Sequence, residues 1–284
     1  MSAIKSLLAG LIDYAGLYPP ASLDMHTAAR KYLEYSHSSH AQALGRFVID
    51  LDRLPSLCDA AGDCVRGLRL SVIVSPQTDW DHLQRLIDMG YAIEAVEVKA
   101  AGAEQVAHLT KQIPAGMTVY IEVPVQGTPV EMLDAVAAAG ARIKLRMGGV
   151  VAEAFPSPQA VAWMLGELSR RRMVFKATAG LHHPIRGRHA LTYRPESPTA
   201  VMHGFVNVAC AAALFYFGGE AEEAQELLEE EWRGEWRVTP EAIAWHGDSW
   251  NGDELAEVRQ QFFAGFGSCS FEEPIRDLEE LGWL

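Results

Sequence analysis

A chain of 284 residues with 49% apolar and 21% charged residues is long enough to bury one large core, and its formal charge of -13 keeps such a core in solution. That acidic balance offers no basic face to neutralise phosphates, which excludes nucleic acid from the expected partners. No run of about twenty apolar residues and no signal segment is present, so no membrane partner is expected and a cytoplasmic location is.

In chain order, Leu11–Ala21 has the mixed composition of a structured loop, within an N-terminal extension spanning residues 1–45. Asp13, Tyr14 and Tyr18 are polar points in it, with packing against a barrel the first expectation and a share in the site the second. Short β-branched runs follow at Phe47–Asp50, Leu70–Val74, Ala95–Lys99, Val119–Val123, Ile143–Met147 and Val174–Ala177. They lie roughly 25 residues apart, the length of a strand, a helix and two loops.

Amphipathic stretches at Asp79–Met89, Ala103–Ile113, Pro129–Ala139 and Pro158–Arg170 supply the crossover helices. Thr128-Pro129-Val130-Glu131 fits a capping box, Ser157-Pro158 repeats the start signal, and Gly90 and Gly140 stand where helices should stop. Serial βα units imply a parallel sheet, read here as one (β/α)8 TIM-type barrel over residues 1–284, with an open doubly wound sheet as the alternative.

Two further strands are needed for closure, and Gly204–Val208 and Ala264–Phe271 are the candidates, the first running into an apolar helix Ala209–Phe217. Residues 219–262 read as an insertion before the last strand, with an acidic helix Ala221–Trp232 and a hairpin in Trp236–Trp250. The three tryptophans of Trp236–Trp250 serve either packing or a contact between copies in a homo-oligomer. Cys58, Cys64, Cys210 and Cys269 show no CxxC spacing and read as reduced, buried thiols.

Strands covered on both faces should be continuous Val, Ile and Leu, so ionisable residues inside them need a reason. Glu97 and Lys99 share a face, as do Lys144 with Arg146 and Lys176 with Thr178, and Glu122 lies between them in the series. All fall late in their strands, at the end where barrels build active sites. Lys176 is the candidate nucleophile, with Lys144 and Arg146 nearby to lower its pKa, and Glu122 is the candidate proton carrier.

The segment Phe175-Lys-Ala-Thr-Ala-Gly-Leu-His-His-Pro184 resembles the strand-six segment of deoxyribose-phosphate aldolase, a class I (Schiff-base) aldolase, where a Lys-Thr-Ser-Thr-Gly run carries the reactive lysine. The resemblance covers about ten residues. It implies that Lys176 forms the Schiff base and that Gly180 is the phosphate-side glycine. The family's second lysine, in a Lys-Ala-Ser-Gly-Gly run on its strand seven, has no counterpart in His203–Val208.

His182 and His183 follow, suited to proton transfer or, with Glu122, to holding a divalent metal ion. Arg186, Arg188 and Arg194 gather in the next loop, a pattern that fits carboxylate or phosphate. His203 and Asn207, four apart, share one face. In Gly265–Pro274 the hydroxyls of Ser268 and Ser270 are candidate anion ligands, while Cys269, alternating with them, should face away.

These residues point first to a cofactor-free lyase of aldolase type acting on a small anionic carbonyl compound. Lys176, Glu122, Lys144, His182 and His183 are its catalytic candidates, and Lys99, Glu97, Arg146, Arg186, Arg188, His203, Asn207, Ser268 and Ser270 line the substrate. The alternatives are a metal-assisted isomerase, hydratase or lyase using His182, His183 and Glu122, and a non-catalytic barrel that binds an anionic metabolite.

Overall fold

The computed structural model describes residues 2–284, apart from the side chains of Asp63 and Cys64, so the expectation for Cys64 lies outside the described residues. Seven strands come first: β1 (Ile12–Tyr14), β2 (Leu44–Asp50), β3 (Leu70–Val74), β4 (Ile93–Lys99), β5 (Thr118–Pro124), β6 (Arg142–Arg146) and β7 (Phe175–Thr178). A hairpin of β8 (Gly187–Ala190) and β9 (Thr199–Met202) follows, then a three-stranded antiparallel sheet of β10 (Trp236–Val238), β11 (Ala242–Trp245) and β12 (Asp248–Asn251). β13 (Phe263–Ser268) then pairs in parallel with both β7 and β1, closing an eight-stranded parallel barrel with the order β1-β13-β7-β6-β5-β4-β3-β2.

The six regularly spaced strands stand where the periodicity puts them, and β13 overlaps the expected last strand Ala264–Phe271, but the other closing candidate fails. Gly204–Val208 is no strand: it opens the helix Phe205–Tyr216, whose first ten residues are all buried. An apolar run covered on every side fits a buried helix as well as a buried strand, and periodicity alone does not separate them. The missing strand is β1, inside the presumed N-terminal extension, and only three residues long. The strands β2 to β7 therefore move up by one while β13 remains the eighth, and Lys176 sits on the seventh strand rather than the sixth.

Helix ends follow local chemistry. Ser157 Oγ accepts from the Ala160 N–H at 3.2 Å, and Gly90 and Gly140 take the left-handed conformation after their helices, with φ of 88° and 66°. The expected capping box at Thr128 is absent, because its hydroxyl turns back and donates to the Pro124 carbonyl at the end of β5, at 2.6 Å. In the insertion, Trp236, Trp245 and Trp250 are buried in the chain's own core, so packing accounts for all three. Cys210 is buried as expected, and Cys58 is half-buried. Among the described residues no helix is long and apolar enough to cross a membrane.

Two features position the site. The short β1 delivers Asp13 into the barrel, and the neighbouring strand makes room with Gly45, where a Cβ would stand 2.3 Å from Asp13 Oδ1. Over the carboxyl ends of the strands, Leu191, Ala200 and Met202 of the β8–β9 hairpin region form a small apolar cluster packed against Phe155. The hairpin thus roofs the barrel mouth with side chains that exclude water.

Candidate active site

A cavity of about 450 Å³ opens at the carboxyl ends of the barrel strands, under that apolar roof. Its floor is a chain of alternating charges carried on β4, β5, β6 and β7, backed by Asp13 of β1 behind Lys176. Lys176 Nζ donates to Asp13 Oδ2 at 2.6 Å and to Glu97 Oε1 at 2.5 Å. Lys144 Nζ lies 2.7 Å from Glu97 Oε2 and 2.7 Å from Glu122 Oε2. Arg146 then closes on Glu122 Oε1 at 2.6 Å, with Lys99 Nζ 3.6 Å away at the mouth. From Asp13 outward the signs run minus, plus, minus, plus, minus, plus.

The strand register produces this order. Glu122 stands beside Lys144 and Lys144 beside Lys176, while alternation turns each of these side chains into the barrel. Asp13, Glu97, Lys144 and Lys176 are almost wholly buried, whereas Arg146 and Lys99 reach solvent. Further polar groups complete the network: Ser71 Oγ donates to Glu97 Oε1 at 2.5 Å, and the Arg46 N–H donates to Asp13 Oδ1 at 2.6 Å. Glu97 Oε2 makes no directed hydrogen bond, so proximity of charge holds the Lys144 arm. Tyr120 offers its ring face 5.1 Å from Lys176 Nζ.

Burial alone would neutralise these groups, and their partners prevent it. The Lys176 amine is desolvated, which favours its neutral form, yet the Asp13 and Glu97 carboxylates outweigh this and raise its pKa above the ordinary lysine value. Glu97 is likewise desolvated, and the Lys144 and Lys176 ammoniums hold it far below the usual carboxylate range. Glu122 is lowered too, against its own burial, by Lys144 and Arg146. The expectation that neighbouring cations depress Lys176 is therefore corrected, since its nearest neighbours are carboxylates and Lys144 is separated from it by Glu97.

The rim beyond the adjacent strands β7 and β13 is built by loops and the last helix. His182, after β7, shares a proton between Nδ1 and Glu273 Oε2 at 2.7 Å and turns Nε2 toward Cys269 Sγ at 4.0 Å. Tyr193 donates to Glu273 Oε2 at 3.1 Å, and its hydroxyl stands 3.6 Å from the same sulfur. Cys269 thus lines the cavity, contrary to the expected outward orientation. Strand alternation stops with β13 at Ser268, one residue too early to govern it.

Of the other candidates, His183 reaches the cavity but is engaged by Asp277 at 2.6 Å and stacks on His189. His182, His183 and Glu122 do not converge: the first two are tied to the last helix and Glu122 to cations. No group of three or more His, Cys, Asp or Glu among the described residues is placed to hold a metal ion.

Arg186, Arg188, His203, Asn207, Ser268 and Ser270 stay outside the cavity lining. Arg186 pairs with Glu231, and Arg188 sits exposed on β8. His203 is buried with Nε2 2.8 Å from the Pro156 carbonyl oxygen, and burial lowers its pKa to about 4. Asn207 donates to the Leu227 and Glu230 carbonyls and accepts from the Arg186 N–H, a structural tie between loop and helices. Ser268 and Ser270 accept backbone N–H groups of Ser270 and Glu273, so they shape the last loop instead of facing an anion.

Asp13, Cys269, Tyr193 and Glu273 are the site residues that sequence reasoning missed or set aside. Asp13 carried a usable signal, an acid flanked by apolar residues in Leu11–Tyr14. Glu273 carried none, because two glutamates at a helix start read equally well as complements to its dipole. No protein-family model matches the chain, and no curated protein matches it.

Proposed function

We propose that this barrel is an enzyme of the lyase class, making or breaking a carbon–carbon bond beside a carbonyl in a small anionic substrate through an imine on Lys176. The observation that carries the reading is a buried amine at a cavity floor with a carboxylate on either side. An amine attacks carbonyl carbon only when neutral. Asp13 faces one ammonium where Glu97 faces two, so Asp13 receives the Lys176 proton when the carbonyl approaches.

The outer cations, Arg146 and Lys99, keep solvent-facing N–H groups free for a carboxylate or phosphate, and the Phe155, Leu191 and Met202 surfaces accept a short carbon skeleton. Amine and carbonyl then give a carbinolamine, which loses water to an iminium ion. Glu122, held ionised, takes the proton of the hydroxyl next to the scissile bond, and that bond's electron pair moves into the iminium as an aldehyde departs. The resulting enamine takes the proton back from Glu122, and water releases the product from Lys176. No cofactor is called on.

Borohydride reduction in the presence of pyruvate or another small oxo acid tests the assignment. The expected result is a stable adduct mapped to Lys176, lost in Lys176→Ala. An adduct that survives in Lys176→Ala, or maps to Lys144, removes the role from Lys176. Because the amine's pKa is raised, its neutral fraction grows with pH, so adduct formation should accelerate from neutral into alkaline solution. A flat profile over that range contradicts the activation step.

A further inference from the structure

The cavity that holds Lys176 also contains a second potential nucleophile that the proposed reaction leaves idle. Cys269 Sγ, His182 Nε2 and Glu273 stand in the order nucleophile, base, orienting acid, at 4.0 Å and 2.7 Å, and all three line the cavity. Glu273 fixes the imidazole by occupying Nδ1, which leaves only Nε2 to face the sulfur. Tyr193, hydrogen-bonded to the same Glu273 oxygen, places its hydroxyl 3.6 Å from Sγ.

We propose that Cys269 is a second nucleophile of this cavity, deprotonated by His182, and that it captures small aldehydes as a reversible hemithioacetal. The step balances without any further reactant. The thiol proton passes first to Nε2, and the thiolate Sγ then bonds to the aldehyde carbon. The carbonyl π pair moves to oxygen, which then takes that proton from Nε2 to give a neutral hydroxyl, with Tyr193 as the neighbouring hydrogen-bond donor. Reversal returns aldehyde and thiol.

An aldehyde fits better than an acyl donor, because hemithioacetal formation only recycles one proton, whereas acyl transfer also needs a leaving group to be expelled and protonated. Burial works against a charged His182, yet Cys269 and Glu273 push its pKa up to about 10, so the proton it takes from the thiol stays on the imidazole until the new alkoxide claims it. The geometry does not require Lys176, so the two assignments stand or fall separately.

Iodoacetamide labelling of the whole protein, with sites mapped by mass spectrometry, tests the thiol. Cys58 is more exposed than Cys269, so exposure alone ranks Cys58 first. We expect Cys269 to label at least about tenfold faster than Cys58, and His182→Asn to reverse this by slowing Cys269 about tenfold or more. Cys269 labelling no faster than Cys58, or indifferent to His182→Asn, overturns the proposal.

Glyoxylate, a small anionic aldehyde, should protect Cys269 in both wild type and Lys176→Met. Protection confined to chains that retain Lys176 places the aldehyde on the amine, which overturns thiol capture and leaves the imine reading intact. Should Lys176→Met not fold, the carbon NMR signal of glyoxylate labelled at its aldehyde carbon decides on the wild type. A hemithioacetal carbon supports capture, and an imine carbon or free hydrate alone refutes it.

Discussion

The two walls of the cavity are built on different principles. The inner wall is carried by strands, and its charges balance within a dry lattice in which each ammonium touches two carboxylates. The outer wall is carried by the loop after β7, the β8–β9 hairpin, the turn after β13 and the start of the helix Glu272–Glu280, and it is a single hydrogen-bonded file from Tyr193 and His182 to Glu273 beside one sulfur. Rigid backbone with immobilised charge suits fixed placement of a reacting amine, and a shorter file on loops suits proton exchange.

The sharpest way to break this contrast is Glu122→Gln. It keeps the shape but abolishes proton transfer, and should lower kcat for carbon–carbon cleavage by about 100- to 10,000-fold in a stopped assay. A loss below tenfold removes Glu122 from the acid–base role. Next in size, Glu97→Ala leaves two buried ammoniums facing each other, and should cost about 3–5 kcal/mol in urea denaturation. A cost under 1 kcal/mol, to the nearest order of magnitude, shows that the lattice relaxes or is hydrated.

The walls should also respond to pH in opposite directions. Glu97 is lowered in the folded chain, so its contribution to stability is present above its unfolded value of about 4.3 and disappears as pH falls through and below that range. His182 is raised, so its contribution is present below an unfolded value of about 6.5 and is lost as pH climbs toward about 10. Denaturation midpoints across pH, with His182→Asn as the reference, should show the alkaline loss only in wild type. Smallest of all, Arg30→Ala removes an exposed helix pair with Glu34 and should change stability by less than about 0.5 kcal/mol, which separates surface ion pairs from the buried lattice.

How much of this was legible in the sequence follows the same division. The strand-borne wall announced itself, because Glu97, Glu122, Lys144 and Lys176 interrupt runs that should be apolar, and a period of two sends them to one face. Their pairing was not legible, since it depends on register around the barrel and on Asp13, which lies in a strand too short to show alternation. The loop-borne wall was half legible at best. His182 stood out, but Cys269 was turned the wrong way by extending strand alternation past Ser268, and loops obey no such period. A different limit hid β1: Gly204–Val208 took its place in the count because a wholly buried apolar run reads as strand or helix alike, and it forms a buried helix.

Asp13 and Lys176 are 163 positions apart, and they meet only because β1 slots between β2 and β13. The amine therefore meets its Asp13 partner in the same event that seals the cylinder. On the proposed imine chemistry, a chain that loses this three-residue strand keeps the buried amine but not its acceptor, so closing the cylinder and completing the reaction centre are one event.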